Sequence, residues 1–378
     1  MNLNRRGLLV AGAGAALSGS WSCARASDAP EGSLQRILDE TGAPALIGAV
    51  VTTTGISHLE AAGLRRKDGP DRVTTNDLWH LGSNTKAMTA AHYGLLVEQG
   101  KARWGATVPD LFPDLTVDPA WKNTTVEQLM GHRAGVEERS IMMSGWLMKA
   151  HQDPRPIREQ RADVARMIFE KAPAGEPGKF AYVNFNYVIV GAAIERIRNA
   201  TWEDAVQQDL FRPLGMTSAG FGAPKGAQPW GHRPLLPGVP AAFPVVGLNA
   251  IDPATPADNP AVLGPAGRAH MTMTDYATFV RLFLTRGGAV LEPETVAHLT
   301  TPVPGEGRPY ALGWGVSADR PWARGPQIAH EGSNTMWHAV TMAAPARGVA
   351  ILTASNAGTE TTAASRLAKQ LQERFAAA

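Results

Sequence analysis

The stretch LWHLGSNTKAMTA, Leu78 to Ala90, sets a serine one helical turn ahead of a lysine. Serine is a favoured helix N-cap and lysine a good helix former, so Ser83 and Lys86 also fit a plain helix start with a surface lysine. The reactive reading has its own logic. A neutral hydroxyl is a poor nucleophile and needs a base within hydrogen-bond reach. Residues three apart share a helix face, so Lys86 can reach Ser83 Oγ. An ordinary lysine, with a pKa of about 10.4, is protonated near neutrality and cannot take a proton. Burial lowers that value, as do neighbouring positive or hydrogen-bonding groups, and a lysine so placed becomes a base. The rest of the chain has to decide between the two readings.

Its 378 residues suffice for one large or two ordinary domains. A content of 44% hydrophobic and 19% charged residues describes a soluble globular chain. Residues 1–26 read as an export signal of twin-arginine type: Arg5–Arg6, an apolar run from about Leu8 to Leu17, and the small-x-small site Ala24–Arg25–Ala26. That run is far short of the ~20 residues needed to span a bilayer, so no stable membrane anchor is expected. Export would place the protein in the periplasm or outside the cell. Residues 1–26 hold three arginines and no acid, so removing them takes the net charge from +2 to −1. A nearly neutral protein gives no electrostatic case for nucleic acid. The single cysteine, Cys23, lies in the same segment, which excludes disulfides and thiol catalysis from the remainder. The histidines show no H-E-x-x-H or comparable spacing, so neither a metal nor another cofactor is expected.

Working outward, a helix is expected over residues 33–42. PALIGAVVTTTGISHLEAAGLRR, Pro44 to Arg66, reads as a hairpin turning near Gly55. Met88, Ala91, Leu95 and Leu96 continue the Lys86 segment as a helix that Gly100 stops. Helical patterns follow in VEQLMGH, ADVARMIFEKA and YVIVGAAIERIRN. Residues 222–260 are dense in Pro and Gly, read as a long loop, and are expected to border a cleft. A helix with Thr274 as its cap is expected after Met271. Strands are expected in YALGWGVSA, QIAHEG, MWHAVTMAA and GVAILTAS, then a final helix over 361–375. The fold class is therefore α/β. Residues 27–85 and 262–378 form the α/β body, and 86–261 form a mostly helical insertion.

Three further motifs follow Ser83 and Lys86 in order. They are LMGHRAGV at Leu129–Val136, Y-x-N at Tyr182 and Asn184, and H-x-G at His330 and Gly332. FRPLGM at Phe211–Met216 and PAGR at Pro265–Arg268 add to them. Together they resemble the serine β-lactamase and penicillin-binding-protein superfamily, nearest its class C-like branch, which also holds esterases and D-amino-acid peptidases. The resemblance implies a β-lactamase/transpeptidase-like fold, with an antiparallel sheet flanked by the terminal helices. It implies Ser83 as nucleophile, Lys86 or Tyr182 as its base, and Asn184, His330 and Gly332 as groups that bind and orient substrate. The backbone N–H groups of Ser83 and Ser333 would form the oxyanion hole. The bland alternatives are a half-buried strand aromatic for Tyr182, a turn residue for Asn184 and a structural histidine at 330. Trp79, Trp314 and Trp337 read as core, with pocket lining as the alternative.

Two departures bear on the substrate. Class C lactamases show a lysine and a threonine where this chain has His330 and Glu331, and a Y-S-N or Y-A-N is usual where it has Tyr182–Val183–Asn184. An anion at 331 repels a substrate carboxylate unless Arg133 or Arg268 compensates. The expectation is a serine hydrolase acting on a neutral ester or amide, or on a substrate with a free amine. The alternatives are a class C-like β-lactamase, a D-Ala-D-Ala carboxypeptidase, and a silent binding protein of the same fold.

Overall fold

The computed structural model describes residues 33–234, 247–358 and 362–376, so the export signal read in residues 1–26 lies outside them. The strands in chain order are β1 (Ala45–Thr52), β2 (Gly55–Gly63), β3 (Leu78–His80), β4 (Gly220–Phe221), β5 (Gly231–Pro234) and β6 (Leu248–Ile251). They continue with β7 (Ala269–Thr272), β8 (Gly315–Arg320), β9 (Gly325–Ser333), β10 (His338–Ala344) and β11 (Val349–Ser355). Six of these form one antiparallel sheet in the order β2-β1-β11-β10-β9-β8, so the two ends of the chain meet where β1 pairs with β11.

ALIGAVVT is apolar throughout because β1 is central and covered on both faces. Leu46 and Val50 point to one face, where they pack with Leu34 and Leu38 of the first helix and Leu367 and Leu371 of the last. Ile47, Ala49 and Val51 point to the other face, into the main core. The first helix, Leu34–Thr41, is capped by Ser33, which accepts from Arg36 N, and ends at Gly42 in the left-handed region. The antiparallel sheet flanked by terminal helices is the one the sequence implied.

Several local expectations are corrected. The helix after β7 spans Met273–Leu284, and its cap is Thr272, not Thr274: Thr272 accepts from Asp275 N. Within YALGWGVSA, regular pairing begins only at Gly315. The 222–260 segment is not wholly loop, because β5 and β6 pair as a short ribbon within it. Residues within 222–225 and 253–260 border a separate cavity of about 390 Å³ with Arg268, while the cleft at Ser83 is lined from elsewhere. By contrast, Trp79, Trp314 and Trp337, read as core, are at most 1% exposed and belong to it.

Candidate active site

Ser83 lies in a single 3₁₀ turn, Gly82–Asn84, that leads from β3 into the helix Thr85–Glu98. The residue at that helix's N-cap position is Asn84, whose side-chain amide donates to Leu81 O and Ala339 O. Ser83 therefore does no capping, and its hydroxyl faces a cavity of about 540 Å³.

Behind it, Lys86 is fully buried. Its Nζ lies 3.0 Å from Ser83 Oγ, 2.9 Å from Asn184 Oδ1 and 2.7 Å from Ala266 O. The rings of Tyr182 and Tyr187 stand 4.8 Å and 5.7 Å from it. Every touching oxygen is uncharged, so burial dominates and lowers the lysine to about 7; Glu138 opposes that shift from further away. Near neutrality much of the amine is unprotonated. A neutral amine has two N–H donors and one lone pair. The Asn184 Oδ1 and the Ala266 carbonyl can only accept, so they take the two donors, and the lone pair falls to the Ser83 hydroxyl.

Tyr182 and Asn184 flank a helix start. The backbone is extended at Val183 (φ −140°, ψ 124°), and Asn184 opens the helix Asn184–Arg198. The extended backbone thus ends at Val183, and Asn184 is helical. Tyr182 is 41% exposed as a residue, yet desolvation of its hydroxyl inside the site raises the phenol above its usual value, and its contact with the Ser83 hydroxyl only partly offsets this. A neighbouring ammonium would ease phenolate formation, but Lys86 is itself depressed, so that help is missing. The Tyr182 ring is held by His132, at 4.4 Å between centroids. Tyr187 is buried on the same helix, and its hydroxyl donates to Met130 O.

The opposite wall is β9. Gly332 packs against the Ser83 turn so closely that a Cβ on it would sit 2.1 Å from Leu81 O and 2.6 Å from Ser83 N. A Cβ on Gly82, which has φ +51°, would sit 2.5 Å from Ser333 N. The two glycines bring the N–H groups of Ser83 and Ser333 into one neighbourhood, where they could hold an oxyanion. Behind this junction His80 Nδ1 accepts from Gly82 N (3.1 Å), and its Nε2 lies 3.4 Å from Asp258. Asp258 also accepts from Asn334 Nδ2 at 2.6 Å, so one buried carboxylate braces both sides.

His330 lines the cavity, but both its nitrogens are engaged within the protein. Nδ1 lies 2.8 Å from the Glu331 carbonyl, which can only accept, so Nδ1 carries the proton and Nε2 accepts from Tyr310 OH at 2.8 Å. Burial lowers this imidazole to about 3, which makes it a neutral wall residue. Glu331 lies 3.4 Å from His338. Neither arginine expected to offset Glu331 is free to do so. Arg133 is buried and donates to the carbonyls of Gly178, Glu306 and Arg308, stapling two loops together. Arg268 faces Asp258. The cation in the cleft is Arg308, which shares the cavity wall with Glu331 and makes no ion pair among the described residues.

Sequence reading thus brought Ser83, Lys86, Tyr182, Asn184, Gly332 and Ser333 to one place and missed Arg308, Glu138 and Asp258. Glu138 carries a faint signal, as the second of two adjacent glutamates just after LMGHRAGV. The other two carry none. No group of three or more His, Cys, Asp or Glu among the described residues could hold a metal.

A family model described as Beta-lactamase matches residues 34–374, nearly all of the described chain. The chain is 25% identical over 342 residues to penicillin-binding protein 4 of Amycolatopsis lactamdurans, covering 85% of this chain and 83% of that one. It is 26% identical over 337 residues to an unguisins hydrolase of Aspergillus campestris. That match covers 79% of this chain and spans 59% of the fungal protein. The octameric penicillin-binding protein homologue from Pyrococcus abyssi superimposes with a TM-score of 0.70 at 20% identity, covering 89% of this chain and 76% of that chain.

Proposed function

The chain belongs to the beta-lactamase family, and from that premise we propose that it is a serine hydrolase that forms an acyl-enzyme on Ser83 and releases it to water. The observation that carries this reading is Lys86 Nζ, buried, lowered to about 7 and 3.0 Å from Ser83 Oγ. Lys86 takes the serine proton as Oγ attacks the substrate carbonyl. The N–H groups of Ser83 and Ser333 stabilise the oxyanion, the more so because the Ser83 N–H sits at a helix start. Collapse expels the leaving group, which recovers the proton from the Lys86 ammonium, directly or through the Tyr182 phenol. A water then repeats the attack on the acyl-enzyme, with Lys86 again neutral. Of the two candidate bases, Lys86 is favoured because burial moves it toward neutrality and moves Tyr182 away from it.

The substrate is an ester or an amide, peptides included; the fungal hydrolase and the penicillin-binding protein both suit that class. A second reading, a peptide or lactam with a free carboxylate, is favoured by the unpaired Arg308 guanidinium, which offsets Glu331 on the same wall. The paired arginines and small-x-small site of residues 1–26 support an exported location.

Incubation with a fluorophosphonate or a fluorescent penicillin, followed by intact mass and peptide mapping, tests the reading. An adduct on Ser83 that is absent from Ser83→Ala is expected. No adduct with any acylating probe would leave a binding protein of this fold. Short-chain p-nitrophenyl esters, amino-acid amides and nitrocefin assayed side by side then assign the substrate class.

A further inference from the structure

Asn184 holds Lys86 through one end of a nearly symmetric amide. Its oxygen and nitrogen differ little in size, and a half-turn exchanges an acceptor for two donors. If the nitrogen faced Lys86, the amine would lose a hydrogen-bond acceptor and meet a donor instead. The side chain that sets this orientation lies outside every motif. Glu138 Oε1 accepts from Asn184 Nδ2 at 3.0 Å, and Oε2 accepts from Phe185 N at 2.9 Å. A carboxylate can only accept, so the amide nitrogen must turn toward Glu138 and the oxygen toward Lys86. The adjacent Glu137 has a different partner set: it accepts from the backbone N–H groups of Arg139 and Ser140 and from the Ser140 hydroxyl. Glu137 thus caps the short helix that follows, while Glu138 turns inward.

We propose that Glu138 is a positioning residue, fixing which end of the Asn184 amide meets Lys86 and setting, through its charge, the pH at which that amine becomes a base. Among the described groups around Lys86, Tyr182, Tyr187, His132 and His330 carry no charge near neutrality, since burial moves all four toward their neutral forms. Arg308 stands further out, beside Tyr182 and His330. Glu138 is the one carboxylate whose field reaches the amine, and it favours the ammonium. The amide between them holds the anion one residue away from the lysine. Direct contact would keep the lysine protonated, whereas a bridged contact tunes it.

This inference rests on Lys86 being the base for Ser83. Glu138→Gln keeps the shape and removes the charge. The acidic limb of kcat/KM is expected to move down by about one pH unit, since losing the anion lets the amine deprotonate earlier. A cap that only supports the helix Asn184–Arg198 changes the melting temperature and leaves the limb where it was, and that result overturns the proposal. Glu138→Asp covers the case in which the glutamine variant fails to fold. It keeps the charge and shortens the reach, so the limb stays within a few tenths of a pH unit while the plateau falls several-fold as Asn184 is released. Limb and plateau both unchanged in that variant would also overturn it. A wild-type profile with no limb near neutrality, or no Ser83 adduct, defeats the underlying reading instead.

Discussion

Two of the buried cations among the described residues, Arg161 and Lys86, are treated in opposite ways. Arg161, on the helix Ile157–Phe169, donates to Glu195 Oε1 at 2.5 Å and to both Glu203 oxygens at 2.8 and 2.6 Å. The carbonyls of Val262 and Ala261 take its remaining donors, and the two glutamates hold its charge in place despite burial. Lys86 is buried as deeply, but three uncharged oxygens surround it and the nearest carboxylate is kept behind an amide. Burial makes one side chain a fixed structural charge and the other an amine near neutrality. The difference lies in whether a carboxylate touches it.

Substitutions on the two sides should separate cleanly. Lys86→Ala removes the proposed base, and kcat/KM toward an activated ester should fall by about 10³-fold; a loss below tenfold would move the role to Tyr182. Arg161→Met leaves the buried Glu195 and the half-buried Glu203 without their partner and should cost about 3–5 kcal/mol in urea melts. The pH limb of whatever activity survives should stay in place. Lys86→Met should do the reverse and stabilise the protein. Lys86 binds its proton more weakly when folded (about 7) than when unfolded (10.5), so its penalty is fully present below pH 7 and fades as pH rises to 10.5. The gain should be about 1–2 kcal/mol at neutral or lower pH, after allowing for the acceptors left at Asn184 and Ala266, and should shrink toward pH 10. A gain independent of pH would contradict a depressed lysine. The smallest expected effect is at the cleft wall. Arg308→Ala should raise KM about tenfold for a substrate ending in a carboxylate and leave a neutral ester unchanged.

The comparison also explains what the sequence could and could not show. The α/β body was legible because β1 and β11 are apolar on both faces and begin and end the sheet-forming parts of the chain. Ser83 and Lys86 were legible because one helical turn puts them on one face and the ordered motifs of the family resemblance follow them; Tyr182 and Asn184 were legible through that resemblance alone. Charges that act across the fold were not. Glu138 meets Asn184 from 46 residues away, and Asp258 reaches Asn334 across 76. A lone glutamate or arginine in a loop reads as a solvated surface charge, which is how Arg308 and Glu138 escaped. The lysine's proton affinity was invisible for the same reason: it depends on which carboxylates do not touch it, and no motif records that.

The rate of Ser83 labelling by a fluorophosphonate, followed by intact mass across pH, tests the central claim most directly. A rate that rises to half its plateau near pH 7, with the adduct on Ser83, is the predicted result. A half-rise above about pH 9, where an ordinary lysine loses its proton, or a label on some other residue, would contradict it.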